Sequence, residues 1–191
     1  MRIILASKSP RRKELMDLAE FNYEIIPSHS PENWDDDLTI EENSINLGYD
    51  KARDVYENTQ GDRAIIGSDT IVVKDNEVFG KPESREDAIR MLKDLQGTFH
   101  YVYTSLTILI EDKGKEKAYK ETHATKVYIK PMSDAEIQHY VDTYDVMDKA
   151  GAYAIQSKFA VYIEKIDGDY NSIIGLPISR IYDIFKENEI W

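Results

Sequence analysis

Cysteine is absent from the 191-residue chain, which excludes disulfide staples, thiolate nucleophiles, zinc-thiolate knots and iron-sulfur clusters. Glycine and proline are sparse, at 9 and 6 residues, so neither a fibrous nor a low-complexity reading applies. No apolar run approaches the roughly 20 residues of a bilayer-crossing helix, and the apolar part of "MRIILAS" is too short for a secretory signal. The expectation is a cytoplasmic protein that stays in its compartment of synthesis. Basic charge is also in deficit, with 24 Lys and Arg against 36 Asp and Glu, for a formal net charge of −12. A global grip on nucleic-acid backbone or anionic membrane is therefore not expected, and any polyanion must be held locally.

What remains is 41% hydrophobic and 31% charged residues, the composition of a globular protein with its own core. The size argues for one domain over residues 1–191. Arg2 to Ala6 reads as a buried first strand that feeds a helix, with Ser9 as its cap and Pro10 at the first helical position. Phe21 to Ile26 reads as extended, and Pro27 to Leu38 as an exposed acidic loop. Thr39 with Glu42 forms a capping box that opens a helix toward Tyr56. Ala64 to Val73, "AIIGSDTIVV", reads as one core strand interrupted chemically by Ser68, Asp69 and Thr70. "KDNE" turns the chain, and Ser84 caps a helix whose inner face is Ala88, Leu92 and Leu95 and which Gly97 ends. Phe99 to Glu111 and Lys115 to Ile129 form a hairpin through "DKGK". A second capping box, Ser133 with Glu136, opens a helix to about Tyr144, and a last helix carries Ile181, Ile184 and Phe185. The class is α/β.

Five constellations carry candidate chemistry. In "SKSPRR", Pro10 places Arg11, Arg12 and Lys13 in a first helical turn, where cations face the positive end of the helix dipole. Free N–H groups, seryl hydroxyls and guanidinium forks there suit phosphate oxygens; the alternative is a solvated basic patch. Asp69, amid an apolar strand, is the best general-base or metal-ligand candidate, unless it caps the amides that follow it. Lys81 in "GKP" is either a phosphate contact or an exposed turn lysine, and the absent glycine and hydroxyl positions exclude a P-loop. Glu32 and the run Asp35 to Asp37 offer hard oxygens to Mg²⁺ or are solvated acidic surface. Gln156 has the paired donor and acceptor that a base edge needs. Asp167 and Asp169 read as turn-fixing residues. His29, His100, His123 and His139 lack metal-ligand spacing and a triad partner, so no histidine chemistry is expected.

Taken in order, "ILASKSPRRKEL", "KA" at Lys51 and Ala52, "GSDTIV", "GKP", "AGAYAIQ" and "IDGDYNSIIGLPIS" resemble the Maf family of nucleoside triphosphate pyrophosphatases. The resemblance spans nearly the whole chain, and its specificity lies in six blocks kept in order. It implies a mixed, twisted sheet flanked by helices, elongated into two lobes around a cleft and similar to the inosine triphosphate pyrophosphatase fold. It also implies a cytoplasmic, homodimeric enzyme that uses a divalent metal, Mg²⁺ before Mn²⁺, to cleave a nucleoside triphosphate into monophosphate and pyrophosphate. By this resemblance Asp69 is the catalytic carboxylate and, with Glu32, a metal ligand; Ser7, Arg11, Lys51 and Lys81 bind phosphate; Arg12, Thr70 and Gln156 read the base. "SDT" with Gln156 is similar to the branch hydrolysing dTTP and UTP. The alternatives are a pyrophosphatase for purine or modified nucleotides and a cell-division-linked regulatory protein using the same cleft. One departure is Gly48, where the family usually has Ala, which reads as a loosened helix turn at a cost under about 1 kcal/mol.

Overall fold

The computed structural model describes residues 1–190. Its elements in chain order are β1 (Arg2–Leu5), α1 (Pro10–Leu18), β2 (Glu24–Ile25), α2 (Ile40–Glu57), β3 (Arg63–Gly67), β4 (Thr70–Lys74) and β5 (Glu77–Phe79). They continue with α3 (Arg85–Leu95), β6 (Phe99–Asp112), β7 (Lys115–Ile129), α4 (Asp134–Thr143), β8 (Ile163–Asp167), α5 (Tyr170–Ile174) and α6 (Ile178–Glu187). Single turns of 3₁₀ helix lie at Ala150–Ala152 and Lys158–Tyr162. The chain divides into two compact units: one comprises, among the described residues, 1–69, 104–123 and 175–190, the other Thr70–Tyr103 and Ala124–Ile174. β6 and β7 each contribute a stretch to both units.

In the first unit the strand order is β2-β1-β3-β6. β1 pairs in parallel with β2 and β3, and β3 pairs antiparallel with β6, so the sheet is mixed, as the α/β reading expects. Ile4, Ile65 and Leu109 are fully buried neighbours across three strands, and they pack with Ala52 and Val55 of α2. α2 starts where expected: Thr39 accepts from the Glu42 N–H, and the Glu42 carboxylate accepts from the Thr39 N–H. This reciprocal capping holds the Glu42 carboxyl below its ordinary range, first through the Thr39 backbone bond and then through the Thr39 hydroxyl. The β6–β7 hairpin turns at Lys113 and Gly114, both at positive φ, as a two-residue turn matched to strand twist demands.

In the second unit β4 lies between β6 and β5, and β7 pairs with β8. Asp75 and Asn76, again both at positive φ, make the β4–β5 turn. Val72, Phe79, Leu92, Leu95, Val127, Tyr140 and Phe159 form its core. One of two sequence expectations changes here. Asp169 does fix a turn, accepting from the N–H groups of Asn171 and Ser172, whereas Asp167 ends strand β8 opposite Lys126.

His100 is fully buried in this unit, with Nε2 at 2.7 Å from the Tyr153 hydroxyl. Burial, and secondarily the Lys74 charge, depress its pKa to about 3. The unfolded chain binds that proton near pH 6.5 and the folded one does not, so the stability contribution is complete above 6.5 and drains away as pH falls toward 3. Between pH 7 and pH 5 the loss is about 2 kcal/mol. Urea unfolding of wild type and His100→Gln at the two pH values should show the wild type losing about that much more than the variant. Parallel losses in the two proteins would exclude His100 as the titrating group.

Candidate active site

The parallel register of β1 and β3 sets the site's frame. Leu5 lies opposite Ile66, and the Ala6 N–H donates to the Ile66 carbonyl at 2.9 Å, so Ser7 and Ser68 leave the sheet at the same strand ends. Carboxyl ends of parallel strands are where open α/β sheets place their ligands.

Ser7 is 7% exposed, and its Oγ accepts from the Ser9 N–H and from Arg12 Nη1, both at 3.2 Å. With two acceptor sites filled, the hydroxyl's own proton is left to donate, the polarity a phosphate oxygen needs. Ser9 precedes α1 with extended backbone, but its side chain makes no capping bond, contrary to the sequence expectation. The N–H it would leave to a ligand is taken by Ser7 instead. Pro10 does occupy the first helical position.

Arg12 is buried, and its Nε donates to the Gly175 carbonyl at 2.9 Å. The same carbonyl accepts from Ser68 Oγ at 3.0 Å, which satisfies the fully buried hydroxyl of the polar island. Burial lowers the Arg12 pKa from its ordinary value and neighbouring Arg11 adds to this, while Asp69 and Glu32 oppose it. Arg12 thus sits in the joint field of Arg11, Asp69 and Glu32.

The expected single strand from Ala64 to Val73 is two strands, with Ser68 and Asp69 in the break between β3 and β4. The break frees the Asp69 side chain from the sheet's alternation. Lys51 of α2 reaches it: the ammonium donates to Asp69 Oδ1 and, at 2.8 Å, to Glu32 Oε1. Lys51 and Asp69 are each 13% exposed at the side chain and Glu32 is 64% exposed, so one carboxylate is screened from water and the other meets it. The helix can come this close because Gly67 ends β3. A Cβ there would lie 2.3 Å from the Gly48 carbonyl oxygen and 2.7 Å from the Ala52 N.

The loop that presents Glu32 is tied to α2 at both ends. Asp54 accepts from Ser28 Oγ and the His29 N–H, and Asn43 exchanges hydrogen bonds with the Asp35 backbone. Of the acidic run, Asp35 folds the loop, accepting from the Asp37 N–H, and Glu32 meets the lysine.

Ser7, Arg11, Arg12, Glu32, Lys51 and Asp69 therefore belong to the first unit, while Thr70, Lys81 and Gln156 belong to the second. Thr70 opens β4 directly after Asp69. Exposed Lys81 follows Gly80, whose carbonyl accepts from the Gly151 N–H at 3.0 Å, tying the "GKP" turn to the "AGAYAIQ" segment. Gln156 is exposed, and its segment is fixed by Tyr153 on His100 and by Ser157 Oγ donating to the Ala154 carbonyl at 2.7 Å. Ser105, whose Oγ accepts from the Asp69 N–H at 2.9 Å, and Gly175 were not expected at the site; a serine in a β-rich run and a backbone carbonyl carry no sequence signal.

Among the described residues no group of three or more His, Cys, Asp or Glu could hold a metal. The donor set is two carboxylates that already converge on one cationic point, the Lys51 ammonium. Two hard oxygens suit a Mg²⁺ ion that takes its other ligands from phosphate and water.

The chain matches the family model described as Maf-like protein over residues 2–188. It is 44% identical to a dTTP/UTP pyrophosphatase of Thermoanaerobacter sp. (strain X514) over 187 residues, covering 97% of this chain and 96% of that protein. It is likewise 44% identical to a dTTP/UTP pyrophosphatase of Bacillus velezensis over 191 residues, covering 99% and 97%. Among solved structures, a nucleoside-triphosphatase described as a dITP/XTP pyrophosphatase, from Mycobacterium abscessus, shares 16% identity at a TM-score of 0.38, covering 66% of this chain and 74% of that one. That likeness is too slight to bear on the site.

Proposed function

Because the chain belongs to the Maf family, we propose that it hydrolyses dTTP and UTP to the nucleoside monophosphate and pyrophosphate, clearing these from the nucleotide pool. The observation that carries the reading is the pairing of Asp69 and Glu32 on Lys51 beside Ser7 and Arg12. Arg11 and Lys51 neutralise the phosphate chain, Ser7 donates its hydroxyl proton to a phosphate oxygen, and the family resemblance gives Lys81 a phosphate-binding role as well. Asp69 orients a water and takes its proton as the water attacks the α-phosphorus, and pyrophosphate leaves. Asp69 and Glu32 would hold a divalent ion, which when bound supplies charge neutralisation at the phosphate oxygens. Thr70 and Gln156 read the base: a hydroxyl and a carboxamide match the carbonyl and N–H edge of thymine or uracil, and a purine leaves that edge unpaired. The family resemblance also points to a cytoplasmic homodimer, for which light scattering would return twice 22.1 kDa.

The test is a panel of dTTP, UTP, ATP, GTP and 7-methyl-GTP with Mg²⁺ and separate detection of pyrophosphate and orthophosphate. dTTP and UTP should exceed the purines at least about tenfold in kcat/KM. Gln156→Glu should erode that preference by replacing the donor with an anion. A purine preference would overturn the base assignment, and orthophosphate as first product would overturn the reaction.

A further inference from the structure

The register of β3 on β6 pairs Arg63 with Glu111 and Gly67 with Thr107, and continued past the end of β3 it sets Asp69 opposite Ser105. Half of a ladder pair forms there, the Ser105 N–H donating to the Asp69 carbonyl at 2.9 Å. The other half is replaced. The Asp69 N–H donates at 2.9 Å to Ser105 Oγ, so a side chain accepts where a strand carbonyl would. Ser105 is fully buried.

The room for that hydroxyl comes from α2. A Cβ on Gly48 would stand 2.4 Å from Ser105 Oγ and 2.9 Å from Ser105 Cβ, distances that real atoms do not share. Gly48 is thus a vacated volume occupied by a neighbour's hydroxymethyl group, less than one helical turn before Lys51, and its meaning differs from the loosened turn expected from the sequence.

We propose that Ser105 is a positioning residue for Asp69, its hydroxyl fixing the Asp69 backbone where the strand leaves β6, and that Gly48 is glycine to admit it. The proposal rests on the reading of Asp69 as the site's base. A pure filler would make the same van der Waals contacts without the hydrogen bond, and the two roles separate in a set of variants.

Ser105→Ala should fold, lose about tenfold in kcat with KM held within about twofold, and speed hydrogen exchange at the Asp69 amide at least about tenfold. Gly48→Ala should lower both Tm and kcat. Gly48→Ala combined with Ser105→Gly should regain most of the Tm, because the clash is gone, while kcat stays low, because the hydroxyl is gone. Recovery of both in the double variant would make Ser105 a filler and overturn the proposal. Failure of Tm to recover would overturn the pairing of Gly48 with Ser105, and an unchanged Asp69 amide in Ser105→Ala would overturn the clamp. Asp69→Asn is measured alongside: full activity there would remove Asp69 from catalysis, and amide exchange would still decide the clamp by itself.

Discussion

Asp69→Asn should lower pyrophosphate release by about 10²–10⁴-fold, the range spanned by loss of a positioned acid or base. The carboxamide keeps the size and shape of the side chain, so geometry survives and the anion does not. Stability should change little, by about 1 kcal/mol, because the Lys51 ammonium keeps Glu32 as a partner and is not left buried alone. The kinetic loss corresponds to roughly 3–5 kcal/mol of transition-state stabilisation, several times the structural cost, so the two effects separate cleanly. Turnover with Mg²⁺ and a thermal melt on the same preparation are sufficient. A variant that unfolded along with its activity would return Asp69 to a structural role, and one within threefold of wild type would remove it from the reaction.

Gly67→Ala should carry the largest stability effect in the first unit. The added methyl meets backbone atoms, the Gly48 carbonyl oxygen at 2.3 Å and the Ala52 N at 2.7 Å, and also Ala52 Cβ at 2.8 Å. No side-chain rotation relieves this, and α2 must move away from β3 as a body. Overpacking of this kind costs about 3 kcal/mol or more, equivalent to a Tm lower by roughly 6–12 °C in a chain of this length. Lys51 moves with the helix, so activity at 20 °C should fall even while the protein remains folded. Gly80→Ala is the control, since a Cβ there meets nothing within 4 Å and its stability should stay within about 0.5 kcal/mol of wild type. Equal melts for the two variants would show that the close approach of α2 is not what the glycine protects.

Local signals were the legible part. The capping boxes at Thr39 and Ser133, the cap at Ser84, Pro10 at the start of α1 and the two tight turns were readable because every partner lies within four residues. The site residues stood out for a different reason: a carboxylate in an apolar run, or two arginines at a helix start, conflict with their surroundings. What could not be read depends on partners far along the chain. At the strand break the Asp69 N–H is taken by the side chain of residue 105, and hydrophobic periodicity cannot show that. The Arg12 environment depends on a carbonyl 163 residues away, and Ser68 on the same atom 107 residues away. Gly48 looked like a weakness because a glycine's helix propensity is visible in sequence and the atom occupying its empty side is not.

The Gly175 carbonyl also sets a timetable. A chain emerging from the ribosome has made β1, α1, α2 and β3 long before Gly175 exists, and until then Arg12 and Ser68 lack their shared acceptor. Nascent chains stalled short of Gly175 would lack the carbonyl that accepts from both Arg12 Nε and Ser68 Oγ. The first loop and the polar island thus acquire their common anchor only once residue 175 has been made, 163 residues after Arg12 and 107 after Ser68.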